Sequence, residues 1–249
     1  MKFSIITCTY NSEKYIRRNI DSIKNQSFKN FEHIFIDGFS SDKTTSIIKS
    51  YQKEFPEKVK LFQFKPRGIG NAMNIGINKS SGKYIIHLHS DDSLFSPDTL
   101  KEINAFILIN KNPYWIYGKA LFINEIRGAS RIIPHRKIYH KAKFWLLLAT
   151  NYIPHQSVFI QKKIFKKYGY FNEKYKNSMD YEMWLRLLKN NVFPVFFNKT
   201  ICNFFIHPDS QSTKGKSNNE HNLIHKQYLK SSVLIFLLNI IDKLNKFRS

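Results

Sequence analysis

The stretch Tyr84-Ile-Ile-His-Leu-His-Ser-Asp-Asp92 decides the fold, because a short apolar run ends there in two adjacent carboxylates. The run 84–86 predicts a buried strand, and the polar residues after it predict a turn. Two acids at a strand end make poor core, but carboxylate oxygens are the ligands that hard divalent cations prefer. The alternative is an ordinary acidic turn, since Asp and Ser favour turns anyway. The rest of the chain must decide between these two interpretations.

Three more strand-and-turn units precede this one. The strand 3–7 leads into the polar loop 8–11, and the strand 33–36 ends at the polar turn 37–42. A third strand is predicted at 59–64, and apolar residues at helical spacing predict helices between the strands. Strand and helix alternate four times in about 90 residues, which predicts a parallel, doubly wound α/β sheet. Ligands of such sheets bind beyond the carboxyl ends of the strands, so the polar turns after strands one, two and four predict one shared crevice.

The second half of the chain is less regular. Ser96-Pro97 favours a helix start, because Pro suits the first helical position. Further elements are predicted at 114–124 (strand), 141–149 (helix), 157–160 (strand) and 180–188 (helix).

Charge and cysteine usage restrict the partners and the compartment. The 249 residues include 40 Lys and Arg against 18 Asp and Glu, a formal charge of +22. This excess favours a polyanionic partner, which is a nucleic acid, an anionic membrane or a phosphorylated substrate. Cys8 and Cys202 have no metal or disulfide spacing, so we expect buried free thiols in a reducing cytosol. The N-terminal apolar run is too short for a signal peptide.

These segments together resemble a family 2 glycosyltransferase of GT-A fold, over about residues 3–210. The segments that carry the resemblance are Ser4-Ile-Ile-Thr-Cys-Thr-Tyr-Asn11, Ile36-Asp-Gly-Phe-Ser-Ser-Asp42, Gly68-Ile-Gly-Asn-Ala-Met-Asn-Ile-Gly76, Ser90-Asp-Asp92 and Asn177-Ser-Met-Asp-Tyr-Glu-Met-Trp-Leu-Arg186. The resemblance implies a Rossmann-like, mostly parallel central sheet flanked by helices, with a C-terminal helical extension. Its expected parts are a nucleotide-sugar-binding half (1–95), an acceptor-binding half of the same domain (96–212) and a basic, partly amphipathic extension (213–249).

Roles on the donor side follow from the resemblance. Tyr10 would stack on the nucleotide base, with core packing as the alternative, and Asp37 would accept a hydrogen bond from the base, with helix capping as the alternative. The implied nucleotide-binding residues are Thr9, Tyr10, Asn11, Asp37, Asn71 and Asp91. Asp92 with Asp91 would hold Mn²⁺ or Mg²⁺ on the donor diphosphate, and His207 would reach the metal or the diphosphate. Such a metal neutralises charge that develops on the leaving group.

Roles on the acceptor side follow in the same way. Asp180 would be the general base that takes the proton of the acceptor hydroxyl, and a single base without a covalent nucleophile implies inversion. The compatible alternative for Asp180 is an acid stabilised at a helix N-terminus. His155, Gln156 and Trp184 would line the acceptor side, although His155 and Gln156 could equally be a buried polar pair.

The chain departs from the family pattern at four positions. Gly38, Asn71, Met179 and His89 stand where the family often carries an acid. Gly38, Asn71 and Met179 motivate the alternative of a non-catalytic nucleotide-sugar binder. A basic nucleic-acid-binding protein is a weaker alternative, because no recognised motif for it is found and no nucleic acid partner is expected.

The C-terminal apolar run 233–241 is followed by a basic end. It predicts an interfacial helix on an anionic membrane, with a helix packed back on the domain as the alternative. The expected partners are therefore a nucleotide-diphosphate sugar, a saccharide or polyprenyl-diphosphate-linked acceptor, and an anionic membrane surface. We expect a cytoplasmic protein, peripheral at the inner face of the cell membrane, acting in cell-surface polysaccharide synthesis such as that of O-antigen or capsule.

Overall fold

The first half of the chain forms the parallel part of one mixed sheet. The computed structural model describes residues 1–134, 142–210 and 218–229. Its first strands and helices are β1 (Phe3–Thr9), α1 (Ile16–Lys24), β2 (Phe31–Asp37), α2 (Thr44–Glu54), β3 (Val59–Gln63), α3 (Ile69–Lys79) and β4 (Tyr84–His87). The four strands are parallel, in the order β3-β2-β1-β4. The predicted parallel α/β arrangement is therefore confirmed for this half.

The second half extends the same sheet with mixed strand directions. Its elements are β5 (Ser93–Leu94), α4 (Thr99–Ile109), β6 (Trp115–Asn124), β7 (Ala129–Ile133), α5 (Phe144–Ala149), β8 (Val158–Gln161), α6 (Lys162–Tyr168), α7 (Met179–Lys189), β9 (Val195–Ile206) and α8 (Asn218–Tyr228). The sheet continues as β4-β8-β6-β9-β5, and β7 pairs with β6. Strand β8 is antiparallel to both of its neighbours, whereas β6 and β9 are parallel.

The position of β8 brings the second half to the candidate crevice. Because β8 runs antiparallel to β4, with Ile85 opposite Ile160, the residues that precede β8 lie beside the residues that follow β4. A single 3-10 turn, His155–Ser157, stands at that place. The sheet order thus sets His155 next to the acidic turn.

Side chains alternate across the sheet and form cores on both of its faces. Ile6 of β1 and Ile85 of β4 pack on the side of α3 and α7, whereas Ile5 and Ile86 pack on the side of α4. Helix α3 approaches β1 closely at Gly76, where a Cβ atom would lie 2.3 Å from Cγ2 of Ile6. A side chain at this position would push the helix away from the sheet.

Several predicted boundaries differ in detail. Helix α4 begins at Thr99 rather than at the predicted Ser96-Pro97, and α3 ends at Lys79. Just before β4, the amide of Gly82 donates to Oγ of Ser4, 2.8 Å away. Both cysteines are free thiols, Cys202 buried and Cys8 partly buried.

Only part of the expected C-terminal extension belongs to the described residues. Helix α8 packs on the domain, with Ile224 and Leu229 in the core and His225 beside the carbonyl of Leu148. The apolar run 233–241 lies outside the described residues. Over the described ranges, the helices are too short or too polar to cross a bilayer.

Candidate active site

The turn after β2 is organised around a buried carboxylate. Oδ1 of Asp37 accepts hydrogen bonds from Oγ1 of Thr9 (2.9 Å) and Oγ of Ser40 (2.5 Å). Oδ2 accepts from the Ser40 amide (2.9 Å) and from Nε2 of Gln63 (3.1 Å). Asp37 therefore caps its own turn rather than helix α2, which begins at Thr44, and any contact with a base would add to these four bonds. The side chain of Thr9 faces this carboxylate.

An exposed aromatic ring stands beside this turn. Tyr10 is 63% exposed, so core packing is not its role. The space in front of its ring is kept open by Gly38, where a Cβ atom would lie 3.1 Å from both the Tyr10 ring and Pro66. Asn11 and Phe39, which follow Tyr10 and Gly38, both adopt positive φ angles, of 48° and 60°. The amide oxygen of Asn11 accepts from the Ser41 amide and links the two loops.

Helix α1 holds the acidic turn that follows β4. Nδ2 of Asn19 donates to the carbonyl oxygens of His89 (2.8 Å) and Asp92 (3.2 Å). Oγ of Ser90 donates to Oγ of Ser12, 3.0 Å away. The backbone of residues 89–92 is therefore anchored to α1 and to the loop before it.

Asp91 pairs with the imidazole of His207. Nε2 of His207 lies 3.0 Å from Oδ2 of Asp91, and the His207 ring stacks on Tyr15 at 3.9 Å between centroids. The buried Nδ1 of His207 has no hydrogen-bond partner in the described part of the chain. Because β9 ends beside the turn, His207 reaches Asp91 across 116 positions of sequence.

Asp92, the neighbouring acid, is buried. The residue is 1% exposed, and its Oδ1 accepts from the amide of Phe205 at 3.0 Å, while its buried Oδ2 has no hydrogen-bond partner in the described part of the chain. Burial raises the pKa of Asp92 well above its usual range and the charge of Asp91 adds to the effect, whereas Phe205, Gln156 and Arg18 offset it in part. Asp91 is the acid that lies beside His207, and the metal role of the two acids stays a prediction.

The base candidate Asp180 lies at the start of α7 and contacts a histidine pair. Its Oδ2 is 3.0 Å from Nδ1 of His155, and Nε2 of His155 is 2.6 Å from Nε2 of His89. Oδ1 of Asp180 accepts from the amide of Tyr181 at 2.7 Å. Burial and the neighbouring His155 lower the pKa of His89 to about 4, which favours a neutral ring. A continuous chain of contacts therefore joins Asp180 to the acidic turn.

Two of the expected acceptor residues are buried. Trp184 is 1% exposed, stacks on Trp115 at 5.0 Å between centroids and donates from Nε1 to the carbonyl of Ile153. The prediction that Trp184 contacts the acceptor is therefore wrong, because its ring lies in the core and supports the site from inside. Gln156 is also buried, so of the three acceptor residues only His155 retains some exposure.

Asn71 is engaged by a residue that the sequence interpretation missed. Nδ2 of Asn71 and Nδ2 of Asn74 both donate to Glu173, at 3.0 to 3.1 Å. Glu173 thus places a carboxylate beside Asn71, which stands where the family often carries an acid. No signal in the sequence paired these positions, because 99 to 102 residues separate them.

His89 is the most consequential omission. The sequence interpretation noted it only as a departure from the family pattern. The available signal was its place in the same polar turn as Asp91 and Asp92. Strand β4 ends at His87, and the amide of Asp92 donates to the carbonyl of His89, so the turn brings His89 close to the two acids.

Few side chains at the acidic turn could ligate a divalent cation. Over residues 1–134, 142–210 and 218–229, no group of three or more His, Cys, Asp or Glu side chains is arranged as a metal site. Asp91 and His207 supply two ligand atoms, a carboxylate oxygen and an imidazole nitrogen. This pair fits Mn²⁺ or Mg²⁺ when ligands from a bound substrate complete the coordination.

Comparison with known sequences shows the family. The family model for Glycosyl transferase family 2 matches residues 4–169. An uncharacterized glycosyltransferase of Rickettsia felis is 29% identical over 233 residues, which are 91% of this chain and 38% of that protein. A PGL/p-HBAD biosynthesis glycosyltransferase of Mycobacterium bovis is 28% identical over 189 residues, 76% of this chain and 70% of that protein.

Comparison with solved structures shows the fold. S. aureus TarS 1–349 in complex with UDP-GlcNAc superposes with a TM-score of 0.75 at 23% identity, over 93% of this chain and 68% of that one. Mannosyltransferase PcManGT from Pyrobaculum calidifontis, in complex with GDP-Man and Mn²⁺, gives 0.66 at 14% identity, over 96% and 68%. The mixed α/β architecture is the expected GT-A fold. The chain belongs to glycosyl transferase family 2.

Proposed function

We propose that this protein is an inverting glycosyltransferase that moves a sugar from a nucleotide-diphosphate donor to a hydroxyl of a saccharide acceptor. The observation that carries the proposal is the convergence of two groups on one turn. The Asp91–His207 pair belongs to the turn that follows β4, and Asp180 contacts the same turn through His155 and His89. A site for the diphosphate and a base for the acceptor are thus neighbours.

Asp180 would act as the general base. Its carboxylate takes the proton of the acceptor hydroxyl while the acceptor oxygen bonds to the anomeric carbon of the donor. The bond from that carbon to the diphosphate oxygen breaks, and its electron pair leaves with the nucleoside diphosphate. Because attack and departure occur on opposite faces in one step, the anomeric configuration inverts.

Asp91 and His207 would hold the divalent cation, Mn²⁺ or Mg²⁺. A bound cation would supply neutralisation of the charge that develops on the leaving diphosphate. The Mn²⁺ present in the PcManGT complex supports a divalent cation as the cofactor. Asp92, whose Oδ1 accepts a hydrogen bond from the Phe205 amide, would maintain the shape of the turn rather than bind the cation.

The nucleotide would lie between the first two loops, against the exposed ring of Tyr10. Backbone turned by Asn11 and the buried Asp37 would fix its position. The UDP-GlcNAc and GDP-Man of the similar structures support a nucleotide sugar as the donor.

The acceptor would be a saccharide, including one linked to a polyprenyl diphosphate, in the synthesis of a cell-surface polysaccharide such as O-antigen or capsule. The charge of +22 supports a peripheral position on an anionic membrane at its cytoplasmic face. A relative named for PGL/p-HBAD biosynthesis supports a role in a biosynthetic glycosyl transfer.

Calorimetry and product analysis test the proposal. UDP, GDP and dTDP are titrated with and without Mn²⁺, and sugar nucleotides of the nucleotide that binds are then supplied with simple saccharide acceptors. We expect Mn²⁺-dependent binding of one nucleotide and, by NMR, an inverted anomer in the product. Retention would overturn the single displacement, and binding without turnover would identify a non-catalytic nucleotide-sugar binder.

A further inference from the structure

We propose that His155 is a positioning residue for the transfer reaction, which holds the carboxylate of Asp180 and is itself held by His89. The proposal rests on the proposed function, because it requires Asp180 to be the base. It also gives a role to His89, which lies between the turn after β4 and Asp180 and contacts the His155 ring.

Both oxygens of the Asp180 carboxylate are held from the protein side. The Tyr181 amide donates to Oδ1 at 2.7 Å, and Nδ1 of His155 lies 3.0 Å from Oδ2. Because a carboxylate oxygen only accepts, the ring nitrogen at Oδ2 is the donor. Each oxygen keeps a second lone pair, so the carboxylate is oriented and can still accept the proton of a substrate hydroxyl.

The ring of His155 is fixed from its far side. Its Nε2 lies 2.6 Å from Nε2 of His89, and the two rings meet edge to face at 4.6 Å between centroids and 78°. The backbone of His89 is in turn tied to Asn19 of α1. The orientation of the base is thus set from the donor half of the sheet.

One hydrogen bond joins the two imidazole rings. The distance of 2.6 Å between Nε2 of His155 and Nε2 of His89 requires one of these nitrogens to donate and the other to accept. The His155 ring is thereby held at both nitrogens, by Asp180 at Nδ1 and by His89 at Nε2. Because the carboxylate keeps free lone pairs, positioning and proton acceptance are compatible.

Two substitutions at residue 155 separate the contacts. An Asn side chain presents an amide N–H near the place of Nδ1, whereas a Gln side chain presents one near the place of Nε2. The assay is release of nucleoside diphosphate from UDP-GlcNAc, UDP-glucose and GDP-mannose with Mn²⁺, using whichever donor the wild type consumes. Affinity for UDP or GDP with Mn²⁺ and the melting temperature are measured on the same samples.

We expect His155→Gln to lower kcat about 100-fold while the donor KM and nucleotide affinity stay unchanged, because a misaligned base affects only the chemical step. His155→Asn should recover most of that loss. His89→Ala, which removes the support of the ring and leaves the Asp180 contact, should fall between them and provides the test if His155→Gln fails to fold.

Four results would overturn the proposal. Equal kcat values for His155→Asn and His155→Gln would show that the Nδ1–H contact does not matter, as would a wild-type rate in His89→Ala. A change in nucleotide affinity instead of kcat would make the pair part of the donor site. A wild type that consumes no donor would overturn the proposed function, and this inference with it.

Discussion

The donor half of the sheet and the half that follows it differ in where their polar contacts go. In the donor half, Asp37 bonds to Thr9, Ser40 and Gln63, all of which belong to the same half. These contacts are made by the first strands and turns alone. The turn around Asp37 is therefore organised by the first strands and turns of the chain.

The second half makes its site contacts across the boundary. His155 reaches His89, His207 reaches Asp91, and the amide of Phe205 reaches Asp92. All three end on the single turn after β4. The difference teaches that this turn joins the two halves, so changes at Asp91 should affect donor binding and changes at His89 should affect catalysis, whereas changes near Asp37 should affect donor binding alone.

The largest expected effect is on the core that supports the base helix. Trp184→Ala should lower the free energy of unfolding by about 3–5 kcal/mol, because a buried aromatic ring stacked on Trp115 is removed. The matched control is Trp145→Ala, since Trp145 is 63% exposed and should change stability little. Denaturant unfolding followed by circular dichroism measures both. Equal losses of stability in the two variants would contradict the burial of Trp184 and would favour its predicted role in acceptor binding.

The second effect distinguishes the two adjacent acids. Asp91→Asn should weaken UDP or GDP binding in Mn²⁺ by at least about tenfold, because it removes the charge beside His207. Asp92→Asn should bind nearly as well as the wild type, because the amide oxygen can still accept from Phe205. Calorimetry with and without Mn²⁺ measures both variants, and the opposite ranking would restore Asp92 as the principal ligand.

The third effect is confined to the donor half. Tyr10→Ala should weaken nucleotide binding by about 1–3 kcal/mol, because a stacking surface for the base is lost. Tyr10→Phe keeps the ring and should bind like the wild type. Calorimetry again measures both, and stability should not change because Tyr10 is exposed. Unaltered binding by the Ala variant would remove Tyr10 from the nucleotide site.

The smallest expected effect is on the pH dependence of stability, and it arises from Glu32, a buried acid of β2. Burial raises the pKa of Glu32, but hydrogen bonds from Lys60, Ser4 and Ser81 outweigh burial and lower it from 4.5 to about 2. A lowered folded-state pKa stabilises the fold above pH 4.5, and this contribution is lost as the pH falls towards 2.

Glu32→Gln should therefore destabilise the protein by about 1–2 kcal/mol at pH 7 and flatten the pH dependence of unfolding below pH 4.5. Glu54→Gln is the control, because its pair with Lys24 is largely exposed and contributes little. An unchanged acid transition in Glu32→Gln would contradict this assignment.

Local sequence patterns predicted the donor half well. Apolar runs bounded by polar turns identified the strands that became β1, β2, β3 and β4, and their parallel order placed the turns at one edge. The helix α7 was predicted for the same reason, since its apolar period is regular. These features depend on neighbours in sequence, which a pattern can report.

The contacts between the halves could not be predicted in this way. His155 meets His89 only because β8 inserts antiparallel between β4 and β6, and no local pattern specifies that insertion. The burial of Trp184 depends on Trp115, which lies on another strand. The division of the chain at residues 95 and 212 stays a prediction.

The most direct test of the central claim, that Asp180 is the base of a sugar transfer, is the turnover of donor by Asp180→Asn beside the wild type. We expect kcat to fall about 10²- to 10⁴-fold with Mn²⁺-dependent nucleotide binding unchanged, because only the proton acceptor is lost. The exposed acid Asp21, replaced by Asn, provides the control and should retain wild-type turnover. A wild-type rate in Asp180→Asn would contradict the account.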